Sequence, residues 1–168
     1  MAGFVVLLNG SPSAGKTTLA EAVQKASTTP LFHRSLDDFL AGYLRHFREP
    51  DDGNLFDRVR TGYVQSLAQL AIAGNDIVAE AVIIPESVPL YINAFQDVPV
   101  MLVGVRCTLE VAQAREQART DRSRLDLDVP WFETVHQIPY DLEIDTASGI
   151  AVEALSDQGG CPGRRGFS

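Results

Sequence analysis

Eight residues, Gly10-Ser11-Pro12-Ser13-Ala14-Gly15-Lys16-Thr17, restrict the folds open to this chain more than any other feature. They fit the pattern G-x-x-x-x-G-K-S/T. The apolar run Phe4-Val5-Val6-Leu7-Leu8 precedes them, and the helix-forming stretch Thr18-Leu19-Ala20-Glu21-Ala22-Val23 follows. A strand, a tight loop and a helix in that order make a phosphate-binding loop. The glycines let backbone N–H groups approach a polyphosphate, and the helix N-terminus adds partial positive charge. Gly10, Ser11, Ser13, Ala14, Gly15, Lys16, Thr17 and Thr18 are therefore expected to bind nucleotide. Lys16 would reach the β- and γ-phosphates, and the Thr17 hydroxyl would ligate Mg²⁺.

Downstream, strand-like and helix-like segments alternate. After the strand Phe4–Asn9 and the helix Lys16–Ala26, Leu31–Arg34 reads as a short second strand. The polar run at Glu49–Asn54 separates two helical segments. In the second, Leu55–Ala73, apolar Val59, Tyr63, Leu67, Leu70 and Ala71 recur every three or four residues and form one buried stripe. Gly74-Asn75 is its stop signal. Asp76–Glu80 and Val98–Arg106 read as buried strands, since they lack polar alternation. Leu109–Arg119 is helical, Tyr140–Asp145 is a last strand, and Ala147–Leu155 is a last helix. This order predicts an α/β fold: a doubly wound parallel sheet of about five strands flanked by helices, with its ligand at the carboxyl ends of the strands. A single domain over 1–155 is expected, and the Gly-, Pro- and Arg-rich residues 156–168 read as a flexible tail.

The formal charge of −8 argues against a nucleic-acid partner, which favours a basic face. The first residues enter a strand directly, without a basic region and apolar leader, and no apolar run reaches membrane-spanning length. Cys107 and Cys161 have neither metal nor redox spacing, so a cytoplasmic protein is expected.

Asp37 and Asp38 follow the second strand, at the edge where the ligand of such a sheet lies. One of them could orient an acceptor hydroxyl and take its proton. Alternatively, Ser35 or Asp37 simply caps a helix over Phe39–Leu44. Glu80, late in the third strand behind apolar Ile77-Val78-Ala79, is expected at the Mg²⁺ or the attacking oxygen; its other reading is a solvated strand end. Arg115, Arg119 and Arg122 are spaced to share one helical face. They read as part of a helical lid around 115–135 that neutralises transferring phosphate, or as a solvated face paired with Glu116 and Asp121. His33, His46 and His136 lack metal-ligand spacing and read as packing or hydrogen-bonding histidines. Trp131 and Phe132 read as a hydrophobic anchor behind the lid, or as a platform for the acceptor.

Three separate segments resemble the chloramphenicol phosphotransferase family of P-loop kinases. They are Val6-Leu7-Leu8-Asn9-Gly10-Ser11 with Ser13-Ala14-Gly15-Lys16; Gly104-Val105-Arg106-Cys107 with Arg115-Glu116, Ala118-Arg119 and Asp121-Arg122; and His136 with Tyr140-Asp141-Leu142-Glu143-Ile144-Asp145-Thr146. The resemblance spans Val6 to Thr146. It implies ATP- and Mg²⁺-dependent phosphorylation of a small-molecule hydroxyl, often in antibiotic resistance. It also implies Asp37 as general base and Lys16, Arg119 and Arg122 as catalytic charges, with Thr17 and Glu80 at the metal. Ala81 stands where the family has a second acid, and the acceptor-wrapping segments 39–54 and 83–97 match poorly. A metabolite or nucleotide-sugar kinase, including the toxin-type kinases, is the alternative. An NTP-dependent switch fits less well, because no base-reading N-K-x-D is present.

Overall fold

The computed structural model describes residues 2–44, 54–118 and 129–147. In chain order the elements are β1 (Val5–Asn9), α1 (Lys16–Ala26), β2 (Leu31–Ser35), α2 (Leu36–Leu44), α3 (Leu55–Ile72), β3 (Asp76–Ala81), α4 (Val88–Ala94), β4 (Val100–Arg106), α5 (Leu109–Ala118), α6 (Val129–Thr134) and β5 (Leu142–Asp145). A single 3₁₀ turn, Pro85–Ser87, leads into α4. The five strands form one sheet in the order β2-β3-β1-β4-β5, with every neighbouring pair parallel. This is the doubly wound sheet expected from the alternation of elements. The expected final helix beyond Ala147 and the tail 156–168 lie outside the described residues.

The period-2 alternation of strand side chains decides which helix each residue meets. Val5 and Leu7 face one way and join Ile77, Ala79, Ala81, Val100 and Leu102 in a cluster with Tyr63, Val64, Leu67 and Ala71 of α3 and Tyr91 of α4. Val6 and Leu8 face the other way, with Val78, Val103 and Val105, against Leu19 and Ala20 of α1. Because both faces of β1 are buried, it reads as five apolar or uncharged residues without a polar partner on either side. The stripe predicted on α3 is the side that reaches the core: Tyr63, Leu67 and Ala71 are fully buried, and Val59 and Leu70 pack at its margin. The helix stops as its sequence requires. Gly74 turns left-handed (φ 98°), its N–H bonds the Ala71 carbonyl at 2.9 Å, and the Asn75 N–H bonds that of Leu70 at 3.1 Å.

Gly104, mid-sheet in β4, is required by close approach. A Cβ there would stand 2.6 Å from the Tyr140 ring. Gly104→Ala is therefore expected to cost about 1–3 kcal/mol, because the ring must move within a filled site. Thermal melting measures this, and an unchanged melting temperature would show that Tyr140 is free to shift.

Candidate active site

β1 delivers the chain into the phosphate loop at the carboxyl edge of the sheet. Two residues there adopt left-handed backbone, Ser13 (φ 60°) and Gly15 (φ 96°). The second is the position where a side chain would be strained, and Gly15 immediately precedes the first residue of α1. The Ala14 N–H donates to the Ser11 carbonyl at 3.2 Å, which closes the turn. The Lys16 ammonium folds back over the loop and donates to the Gly10 and Ser11 carbonyls, both at 2.8 Å. Thr17 and Thr18 stand exposed on the first turn of α1.

The loop is braced from behind by residues far along the chain. From α5, Arg115 donates to the Ala14 carbonyl (3.2 Å) and to the Thr146 hydroxyl (3.0 Å) and carbonyl (3.1 Å). Thr146, just past β5, donates its hydroxyl to the Ala14 carbonyl at 2.6 Å. Glu116 is buried and accepts a short hydrogen bond from the Ser13 hydroxyl. Spacing groups Arg115 with Arg119 and Arg122; in the structure Arg115 braces the phosphate loop. Arg119, Arg122 and the middle of the predicted lid, 119–128, lie outside the described residues, as do His46 and the side chain of Trp131.

Beside the loop, Glu80 and Thr17 meet. Glu80 shares the face of Val78, toward α1, and is only 5% exposed. Its Oε2 accepts the Thr17 hydroxyl at 2.8 Å, and its Oε1 lies 2.7 Å from His33 Nε2. A solvated strand end is thereby ruled out for Glu80. His33 comes from β2, where it sits opposite Val78, two residues from the Ser35–Glu80 pair and so on the same face of the sheet as Glu80. The hydrogen bond to Glu80 raises the His33 pKa above its ordinary value, against the lowering effect of burial. Of the two roles its sequence context allows, packing or hydrogen bonding, His33 takes the second, and its partner is the buried acid of the site. Ala81, the position of the missing second acid, faces the opposite cluster with α3, where a carboxylate would be desolvated.

α2 starts earlier than its sequence suggested, at Leu36, because the Ser35 hydroxyl accepts the Asp37 N–H at 3.2 Å and caps it. Asp37 and Asp38 are thus in the first turn, both exposed at the carboxyl edge. The cap belongs to Ser35, which leaves the Asp37 carboxylate available for other work. Tyr63 ties this end of β2 to β3: its buried hydroxyl reaches the carbonyls of Arg34 (3.1 Å) and Glu80 (2.7 Å).

On the far side, buried Asn9 joins three segments. Its amide reaches the carbonyls of Ile83 (3.1 Å) and Val135 (2.9 Å) and the Tyr140 hydroxyl (2.9 Å), while its oxygen accepts the Ile83 N–H at 2.6 Å. His136 Nδ1 lies 3.0 Å from the same Tyr140 hydroxyl, and burial lowers its pKa to about 4. The histidine is a hydrogen-bonding group, one of the two roles expected of it from the sequence. Asn9 appears in the sequence only as a polar residue ending an apolar strand.

A metal would find Thr17 and Glu80 together, the hydroxyl and carboxylate oxygens of one bonded pair. Among the described residues no group of three or more His, Cys, Asp or Glu side chains could hold one alone. The pair fits Mg²⁺ that arrives with phosphate oxygens and keeps its own waters. Also among the described residues, no helix is long and apolar enough to cross a membrane.

The family model for chloramphenicol phosphotransferase-like protein matches residues 3–156. No curated protein matches the sequence. Among solved structures, a protein of Chloroflexus aurantiacus described as a kinase is 17% identical with a TM-score of 0.70, covering 94% of this chain and 97% of its own. Shikimate kinase from Bacteroides thetaiotaomicron is 16% identical with a TM-score of 0.64, covering 92% and 97%. The APS kinase CysC of Mycobacterium tuberculosis, in complex with AMPPNP and APS, is 17% identical with a TM-score of 0.60, covering 92% and 98%. At these identities the three share the P-loop kinase fold with this chain.

Proposed function

This chain belongs to the chloramphenicol phosphotransferase-like family, and from that premise we propose that it transfers the γ-phosphoryl group of ATP to a hydroxyl of a small molecule, possible acceptors including antibiotics such as chloramphenicol. The observation that carries the reading is the junction of Thr17 and Glu80 at 2.8 Å, beside a phosphate loop whose Lys16 ammonium is already poised over it. A nucleotide-binding loop with a buried acid at the metal position is the apparatus of phosphoryl transfer.

Each residue has a distinct task. The loop amides and Lys16 bind the β- and γ-phosphates, and Thr17 and Glu80 hold Mg²⁺, which supplies charge neutralisation when bound. Asp37, on the exposed first turn of α2, orients the acceptor hydroxyl and accepts its proton as the new P–O bond forms. The bond to the bridging oxygen of ADP breaks in the same displacement. Arg119 and Arg122 neutralise the oxygens of the group in transit.

The test is a set of hydroxylated acceptors with ATP: chloramphenicol, aminoglycoside- and nucleoside-type antibiotics, sugars and nucleotide-sugars. Mass spectrometry reads an added phosphoryl group. Phosphorylation of sugars or nucleotide-sugars alone would select the metabolite-kinase alternative. Steady ATP hydrolysis indifferent to every acceptor would favour an NTP-dependent switch. The arginines make their own prediction. Arg119→Ala and Arg122→Ala should lower kcat by more than they raise the acceptor KM, because their charge matters most in the transition state. Unchanged kcat in both variants would make them a solvated face.

A further inference from the structure

We propose that His33 is a positioning residue for the metal site: its hydrogen bond fixes the Glu80 carboxylate so that one oxygen stays turned toward Thr17 and the metal carried by the nucleotide. The proposal rests on the kinase reading above and adds a residue that neither the phosphate-loop motif nor the family resemblance assigns.

Three observations converge on it. Glu80 is buried, and its carboxylate has a partner on each oxygen, Thr17 on Oε2 and His33 on Oε1, at 2.8 and 2.7 Å. The backbone beneath is already immobilised, because β2 pairs with β3 from Leu31↔Asp76 to Ser35↔Glu80 and Tyr63 ties the carbonyls of Arg34 and Glu80. What remains loose is rotation within the long glutamate side chain. His33, held rigidly on the neighbouring strand, is the group that removes it. Thr17 holds only Oε2, the oxygen that also serves the metal, and a single contact there leaves the carboxylate free to swing about it. With Oε1 bound to the imidazole, Glu80 offers one oxygen in a set direction, toward the metal or a water on it. Partners of this kind behind a metal-binding carboxylate typically govern metal affinity by about 10–100-fold.

The experiment compares ADP binding without metal and with Mn²⁺, and the Mn²⁺ bound is counted by its electron paramagnetic resonance signal. His33→Ala is expected to weaken Mn²⁺ binding in the ADP complex by about 10-fold. Metal-free ADP affinity should hardly change, because the phosphate loop is untouched. His33→Gln should restore most of the loss, since its amide nitrogen reaches the place of the imidazole Nε2, whereas the shorter His33→Asn should not. That graded pattern, between two amides of similar polarity, also decides the matter if His33→Ala fails to fold. Equal Mn²⁺ affinity in wild type, His33→Gln and His33→Asn would overturn the proposal and leave the kinase reading intact. Failure of wild-type protein to bind ADP at all, with or without Mn²⁺, would overturn both.

Discussion

Lys16→Ala protein should melt close to the wild-type temperature and transfer phosphoryl groups slower by about 10²-fold or more. The first half follows from where Lys16 sits. It is the first residue of α1, a position alanine occupies readily, and its ammonium is only part-buried. The Ser11 carbonyl keeps its bond from the Ala14 N–H, and the bracing bonds from Arg115 and Thr146 to the Ala14 carbonyl do not involve Lys16 at all. The second half follows from charge. On nucleotide binding the ammonium turns from the Gly10 and Ser11 carbonyls to phosphate oxygens, and alanine offers no charge in its place. Phosphoryl transfer assayed with an acceptor identified by mass spectrometry, beside thermal melting, checks both. Normal turnover by a well-folded variant would remove the phosphate-loop reading.

Asp37→Asn should lower transfer by about 10²–10⁴-fold with ATP affinity nearly unchanged. The substitution keeps size and polarity and removes the negative charge together with the ability to accept a proton. Stability should fall by less than about 1 kcal/mol, the usual worth of a negative charge in the first turn of a helix. The Ser35 cap on the Asp37 N–H is untouched. Ser35→Ala provides the converse: it should cost about 1 kcal/mol of stability by loss of the cap. Asp38→Asn, on the neighbouring position of the same turn, should matter less to transfer. Essential Asp38 with dispensable Asp37 would move the base by one residue, and full activity in both variants would remove the carboxylate from the mechanism.

Local signals reached far into this fold. The apolar runs identified β1, β3 and β4, and three-to-four-residue spacing identified α3 with its buried side at Tyr63, Leu67 and Ala71. Boundaries drifted where capping competes with periodicity. Ser35 starts α2 at Leu36, three residues ahead of the apolar Phe39 that marked the expected start. β4 begins at Val100; ahead of it the Pro99 carbonyl accepts the Val5 N–H at 2.9 Å, but proline has no N–H of its own to extend the ladder. In the site, the loop motif named Lys16 and Thr17 outright, and apolar neighbours marked Glu80 as a charge in need of partners. Its actual partners come from 63 residues upstream in one case and 47 in the other.

The sequence alone therefore determined the parallel doubly wound sheet and the phosphate loop at its carboxyl edge. Hydrophobic period and glycine spacing are properties of neighbouring residues, and they survive any tertiary arrangement. Only the tertiary structure decided that His33 meets Glu80 and that Arg115 and Thr146 brace the loop. Those contacts depend on which strands lie side by side and in what register. The order β2-β3-β1-β4-β5 places residues dozens of positions apart within hydrogen-bond reach, and burial of both sheet faces holds them there.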